Sequence, residues 1–299
     1  MRGELPAGLA EAVAEVLRQT GDPTPVRVSR RVAGGDINDA ARVETERGVY
    51  FVKWNSKPLP KLFEVEARGL ELLRAPAAIR VPAVFGYGEP ANRRPAFIVL
   101  EWIDQGSVNR SAMGEMFGRQ LAALHRETAS EFGLGYDNYI GALPQPNEPM
   151  PSWVAFYRER RLGFQRQLAR QKGLMPPDRE RRLGWLMDHL DRWLNDEVQP
   201  SLIHGDLWGG NYLVDTQGRP VLIDPAVYYA DREIELAFTE LFGGFPHSFY
   251  EAYNEVYPMS PGYEERRPLY QLYHLLTHLN LFGESYGGSV DRILRRYAP

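Results

Sequence analysis

The sequence predicts an α+β chain of two lobes: a small antiparallel β-sheet lobe with one key helix, then a larger, mainly helical lobe. Three observations predict it. Strand-like alternation dominates up to about residue 101. Helical periodicity takes over from about residue 111. The segment "LIHGDLWGGNYLVDTQGRPVLIDPA", residues 202–226, then interrupts the helices with two apolar runs, each leading into a carboxylate. The lobes are expected at residues 1–101 and 102–299, with a hinge near Glu101.

The elements follow in order. Leu9, Val13, Val16 and Leu17 form one stripe of a leading helix. "VRVSRRVA" reads as a strand, and "DAARVETERGVYFVKW" as a hairpin in which Ala41, Val43 and Thr45 alternate with charged residues. "KLFEVEARGLELLRA" is helical, with Phe63, Leu70 and Leu73 on one face, and "AVFGYG" and "PAFIVLEWI" add two strands. Beyond them "SAMGEMFGRQLAALHRE", "SWVAFYRERRLGFQRQLARQ" and "DRERRLGWLMDHLDRWLNDEV" read as helices. The proline-rich "GALPQPNEPMP" between the first two cannot be helix. "NYLV" and "RPVLI", joined by the turn "DTQG", form a second hairpin.

Composition excludes several classes. No apolar run approaches the length of a membrane span, and the N-terminus lacks the basic start and apolar stretch of a secretory signal. A net charge of −4 argues against non-specific nucleic-acid binding. The absence of cysteine removes disulfides and thiol catalysis and fits a reducing cytoplasm.

The chemistry concentrates around the second hairpin. Asn211 stands at one of its open ends and Asp224 at the other, and Asp206 lies five residues before Asn211. Oxygen donors for a hard cation, with a carboxylate beside them, suit Mg²⁺–phosphate chemistry. In the first lobe Lys53 shares a strand face with Val49 and Phe51, and Glu66 falls on the apolar face of the following helix. An inward lysine and an inward carboxylate each need a partner, so a Lys53–Glu66 ion pair is expected. "VAGGDIND" offers small residues whose backbone N–H groups could cover phosphates. His274 and His278 have the spacing of a zinc helix, but Leu275 stands where the glutamate base would be, so packing is the expectation. The arginine-rich "RERRLGFQRQLARQK" reads chiefly as a solvated helix face, with Arg160 or Arg161 reaching a phosphate as the alternative. The aromatics of "FGGFPHSFYEAYNEVYP" read as core.

Residues of about 20–299 resemble a protein-kinase-like fold, and within it the fructosamine (ketosamine) 3-kinase family. Asp206 and Asn211 have the D-x-x-x-x-N spacing of a kinase catalytic loop, with "HGD" for H-R-D and "DPA" at 224–226 for D-F-G. Those features extend to aminoglycoside and choline kinases. "HGDLWGGN", "GGDIND", "FEVEARGL", "NYIG" followed by "QPN", "SWVAFYRERRL", "ELFGGF" and "YQLYHLLTHLNLFG" point to the ketosamine kinases. The resemblance implies ATP and Mg²⁺ as cofactors and a small-molecule or protein-linked ketosamine as acceptor, phosphorylated on its 3-hydroxyl in deglycation repair. It implies Asp206 as catalytic base, Asn211 and Asp224 as Mg²⁺ ligands, and Lys53 on the nucleotide phosphates with Glu66 orienting it. Gly34 and Gly35 would cover the phosphates. The Glu101 carbonyl and Ile103 N–H would meet adenine, Trp208 would wall the sugar, and Glu235 would brace the catalytic loop. The glycine loop departs from G-x-G-x-x-G, and no long activation segment follows Asp224, which argues for a small acceptor. A cytoplasmic monomer without nucleic-acid or membrane partners is expected. Another small-molecule kinase of the superfamily and a nucleotide-binding pseudokinase are the alternatives.

Overall fold

The computed structural model describes residues 5–32, 38–92, 94–107 and 109–299. In chain order the elements are α1 (Leu9–Gln19), β1 (Val28–Val32), β2 (Asp39–Glu44), β3 (Val49–Asn55), α2 (Leu62–Arg74), β4 (Val84–Gly88) and β5 (Ala96–Glu101). There follow α3 (Arg110–Leu124), β6 (Asn138–Ile140), β7 (Leu143–Gln145), α4 (Trp153–Phe156), α5 (Phe164–Gln171), α6 (Pro177–Asp188) and β8 (Ser201–Ile203). The chain ends with β9 (Tyr212–Val214), β10 (Pro220–Leu222), β11 (Tyr228–Ala230), α7 (Glu233–Leu241), α8 (His247–Val256), α9 (Tyr263–Phe282) and α10 (Gly287–Tyr297). Two compact units result: residues 1–108 with 213–224, and residues 109–212 with 225–299.

The first unit is an antiparallel sheet of order β1-β2-β3-β5-β4. Period-two alternation puts Ala41 and Val43 of β2, and Tyr50, Val52 and Trp54 of β3, in a core with Leu9, Val13 and Leu17 of α1. The leading helix therefore covers one sheet face. Val49 and Phe51, on the other face of β3, are only half-buried, and Lys53 belongs to that face.

The sequence boundary at 101/102 differs from this partition: residues 102–108 and 213–224 group with the sheet unit. The physical reason is local mooring of the β9–β10 hairpin. Leu222 N–H donates to the Arg80 carbonyl (3.0 Å), Gly106 N–H donates to the Val214 carbonyl (3.2 Å), and Arg80 bonds the Asp215 carboxylate.

The second unit is mainly helical, with short two-stranded ribbons β6–β7 and β8–β11. The stretch 153–171 is helical throughout, as its periodicity predicts, but residues Tyr157–Gly163 wind as a π-helix between α4 and α5. The arginine-rich face needs correcting here: Arg161 is fully buried. Helix α6 stops at Asp188, and only one 3₁₀ turn, Leu190–Arg192, continues it, so "NDEV" is not helix. Phe245, Phe249 and Tyr253 are core as expected, whereas Phe242 is 43% exposed. Among the described residues no helix is long and apolar enough to cross a membrane.

Candidate functional site

The structure places the expected residues in two groups, one in each unit. In the sheet unit Lys53 lies 2.7 Å from Glu66 and 2.5 Å from Asp224. The pairing follows from the local fold. Period two turns Lys53 away from the α1 core, and α2 presents Glu66 from a row of buried apolar neighbours. Burial works against the Lys53 ammonium, but Asp224 and then Glu66 outweigh it and hold the lysine above its usual range, fully charged. Burial also raises the Glu66 carboxyl, with Lys53 opposing that rise. The two carboxylates differ in environment: the Glu66 side chain is 11% exposed and that of Asp224 49%.

Asp224 also has an unusual backbone. Its φ of 51° lies in the left-handed region, where a residue with a Cβ is disfavoured. Strain of this kind clusters at ligand clamps.

Glu101, the last residue of β5, is held through its side chain: its carboxylate receives Arg80 (2.6 Å) and the Ala83 N–H (3.1 Å). Ile103 is buried. Gly34 and Gly35 lie outside the described residues.

In the helical unit β8 pairs antiparallel with β11, and the chain leaves β8 directly into His204, Gly205 and Asp206. Gly205 has φ 85°, and a Cβ there would stand 2.0 Å from the Ala226 carbonyl oxygen, so only glycine lets the loop pass. Ala226 N–H in turn donates to the His204 carbonyl (2.9 Å). The Asn211 amide donates to the Asp206 backbone carbonyl (2.8 Å) and to its carboxylate (3.0 Å). The five-residue spacing thus brings the two side chains together.

The loop is braced from beneath. Glu235 accepts from the backbone N–H groups of Gly205 (2.7 Å) and His204 (3.2 Å), as the sequence reading expected. His125, missed in the sequence, contacts the same carboxylate through Nε2 (2.9 Å), while its Nδ1 meets the Tyr253 hydroxyl (2.8 Å). Arg232 donates to that hydroxyl (2.9 Å). Burial would raise the Glu235 carboxyl, but the His125 bond and the surrounding donors hold it below the usual range, as a buried anion. Burial keeps His125 neutral, so Nε2 carries the proton that Glu235 accepts and Nδ1 accepts from tyrosine.

Trp208 is 43% exposed and is not core. Its loop meets a turn that sequence reasoning did not connect with it: a Cβ on Gly244 (φ 107°) would lie 3.2 Å from the Gly209 Cα. The glycine pair in "FGGF" was the available signal. His274 is stacked on Phe238 with ring centroids 3.6 Å apart, which supports packing.

Each unit separately offers an oxygen donor of the kind Mg²⁺ takes. The Asn211 amide nitrogen is committed to Asp206, which leaves its carbonyl oxygen as the donor, and Asp224 presents a half-exposed carboxylate. No cluster of three or more His, Cys, Asp or Glu able to hold a metal occurs among the described residues. Mg²⁺ needs none, because it takes one or two carboxylates and completes its shell with water and substrate phosphate.

A lysine paired with a helix glutamate on a five-stranded sheet, a D-x-x-x-x-N loop in a helical unit, and an aspartate after the intervening hairpin define a protein-kinase-like phosphotransferase fold. The sequence profile "Fructosamine kinase" matches residues 9–298, and the chain belongs to that family. It is 41% identical over 293 residues to a "Probable ketoamine kinase" of Synechocystis sp., covering 97% of each chain. It is 38% identical to a chloroplastic protein-ribulosamine 3-kinase of Arabidopsis thaliana, covering 96% of this chain and 87% of that one. A solved Thermobifida fusca structure, assigned as a fructosamine-3-kinase, superposes with TM-score 0.86 at 34% identity, covering 96% of this chain and 97% of that one.

Proposed function

We propose that this chain is an ATP- and Mg²⁺-dependent kinase that phosphorylates the 3-hydroxyl of ketosamines. The reading is carried by the match to the fructosamine kinase family over residues 9–298, within which Lys53, Asp206, Asn211 and Asp224 all survive. A pseudokinase usually lacks one of these four.

The C3 hydroxyl oxygen attacks the γ-phosphorus, its proton passes to Asp206, and the bond to the β–γ bridging oxygen breaks to release ADP. Lys53 meets the α- and β-phosphates while Glu66 holds its amine. The Glu101 carbonyl and Ile103 N–H would receive adenine. Asn211 and Asp224 would hold Mg²⁺, which when bound would neutralise charge developing on the phosphate oxygens. The protein's own share is positioning and electrostatics. The ketosamine 3-phosphate is unstable and sheds its sugar, so the role is deglycation repair. The cysteine-free chain suits a reducing cytoplasm.

ADP release should be measured in parallel with a ribulosamine, a fructosamine, choline and kanamycin. Turnover confined to the two ketosamines is expected. Turnover of choline or kanamycin alone would move the chain to another branch of the superfamily, and none at all would leave a nucleotide-binding pseudokinase.

Trp208, exposed on the catalytic loop, is the proposed wall for the protonated sugar-amine. Trp208→Ala should raise KM for a ribulosamine several-fold, since one such contact is worth about 0.5–2 kcal/mol, and leave KM for ATP unchanged. An equal loss of ATP affinity would make Trp208 a support of the loop instead.

A further inference from the structure

Behind the catalytic loop lies a buried amide network outside the roles assigned so far. Asn138, Gln145, Asn147 and Arg161 are each at most 4% exposed. Four such polar groups are costly to bury unless each is bonded, and here each is.

Gln145, at the end of β7, stands at the centre. Its Nε2 donates to Asn138 Oδ1 (2.8 Å) and to the Ala226 carbonyl (3.0 Å), and its Oε1 accepts from the Tyr273 hydroxyl (2.7 Å). Both amide protons and the acceptor are therefore used. Asn138 donates to the next carbonyl along, that of Val227 (2.8 Å). Asn147 donates to Asn138 Oδ1 (2.8 Å) and accepts from Arg161 (2.7 Å). Arg161 also donates to the Pro146 carbonyl (2.8 Å), and its guanidinium lies 3.8 Å from the Tyr228 ring centroid. It projects from the π-helix, a distortion that often marks functional segments.

The network ends where the loop begins. Ala226 is bonded by Gln145 through its carbonyl and bonds His204 through its N–H. The same carbonyl oxygen is the atom that requires glycine at position 205. Displacing Ala226 by a few tenths of an ångström would therefore move His204 and Gly205, and Asp206 follows directly in the chain. Tyr273, on the other side of the Gln145 amide, feels the negative charge of Asp206.

We propose that Gln145 is a positioning residue for phosphoryl transfer: through Ala226 it sets the height of the His204–Asp206 loop, and the Asn138–Asn147–Arg161 chain locks Gln145 in place. This rests on the kinase reading above. It assigns the "QPN" motif a role in aligning the base, by way of the backbone and without touching substrate.

The test uses the full chain with a ribulosamine and ATP. Gln145→Leu keeps the side-chain volume and removes all three bonds. It should lower kcat at least tenfold with KM for both substrates within twofold. Amide hydrogen exchange in residues 201–212 should accelerate at least tenfold, while exchange in α10 stays unchanged. Tyr273→Phe removes one bond and leaves the ring, so it should lower kcat about two- to fivefold alone and add nothing in the Gln145→Leu background. Unchanged kcat and loop exchange in Gln145→Leu, or additive losses in the double variant, would overturn the proposal. If Gln145→Leu does not fold, Tyr273→Phe decides by itself: a fall in kcat at constant KM and Tm supports the role, and no change refutes it. If the wild type phosphorylates no ketosamine, the kinase reading fails, and the exchange measurement still decides whether Gln145 holds the loop.

Discussion

The lysine group of the sheet unit and the loop of the helical unit are held by opposite means. Around Lys53 charge meets charge, with one ammonium between two carboxylates and the Asp224 carboxylate half in solvent. Beneath Asp206 the loop is held through its backbone, by the buried Glu235 anion on two N–H groups and by neutral amides through Ala226. An ionic contact with one carboxylate half in solvent is screened on that side and can exchange that partner. A buried, hydrogen-bonded network is rigid, because each lost bond strands a desolvated group. On the proposed reading the difference would suit two tasks: Asp224 would leave the lysine for a cation when nucleotide arrives, while the proposed base would keep one geometry throughout.

The largest effect should come from Asp206→Asn. The substitution keeps the loop's shape and an acceptor for Asn211 but removes the base. Loss of a positioned general base typically costs about 10²–10⁴-fold. ADP release should fall by that order while ATP binding, followed by titration, persists. Near-normal turnover would mean that the rigid loop serves something other than proton transfer.

Asp224→Ala sharpens the other side of the contrast. Lys53 keeps Glu66, so Tm should hardly move. Affinity for Mg²⁺·ATP should drop at least about tenfold, the scale on which even indirect partners of a metal matter. Affinity for ATP in chelator should change little. A loss that is equal with and without Mg²⁺, or a large fall in Tm, would show that Asp224 is fixed structure and that the contrast is mistaken.

What the sequence disclosed also divides along this line. Lys53 and Glu66 were legible as a pair because each is a charged residue on an apolar strand or helix face, while Asp206, Asn211 and Asp224 stood out by their spacing around a hairpin. The sheet was legible because one of its faces is strictly apolar, from Ala41 to Trp54. The support of the loop was mostly hidden. His125 caps the end of α3 and Tyr253 sits within α8, and their partner Glu235 lies 110 and 18 residues away from them in the chain. Gln145 and Asn147 lie in a segment that the sequence shows only as proline-rich and non-helical, and Asn138 only in the "NYIG" motif; their burial marks them as a network. Arg161 belongs to a stretch that reads chiefly as solvated, with a phosphate contact as the alternative, because periodicity assumes 3.6 residues per turn, whereas the π-helix rotates this stretch away from that count. The grouping of residues 213–224 with the sheet unit was not legible because Arg80, their anchor, is remote in sequence.

The smallest expected effect belongs to that anchor, where a charge is buried and permanently paired, unlike the exchangeable Asp224. Burial alone would raise the Asp215 carboxyl. Hydrogen bonds from Arg219, Gln217 and Arg80 overcome it and bring the carboxyl down to about 2. The unfolded chain titrates the same group near 3.9. The folded pKa is the lower one, so the unfolded state binds more protons between the two values. The stabilisation is complete above pH of about 4 and is lost as pH falls toward about 2. Its size is roughly 1–2 kcal/mol, toward the lower end because the Arg219 partner is 44% exposed and screened by solvent. Asp215→Asn keeps an acceptor for Arg80 but cannot titrate. Denaturant unfolding should therefore show the variant less stable by about that amount at pH 6, with the two proteins converging as pH approaches 2. Parallel curves, separated equally at every pH, would show that Asp215 acts through hydrogen bonds alone, and the hairpin would then be moored as the loop is, by geometry and not by charge.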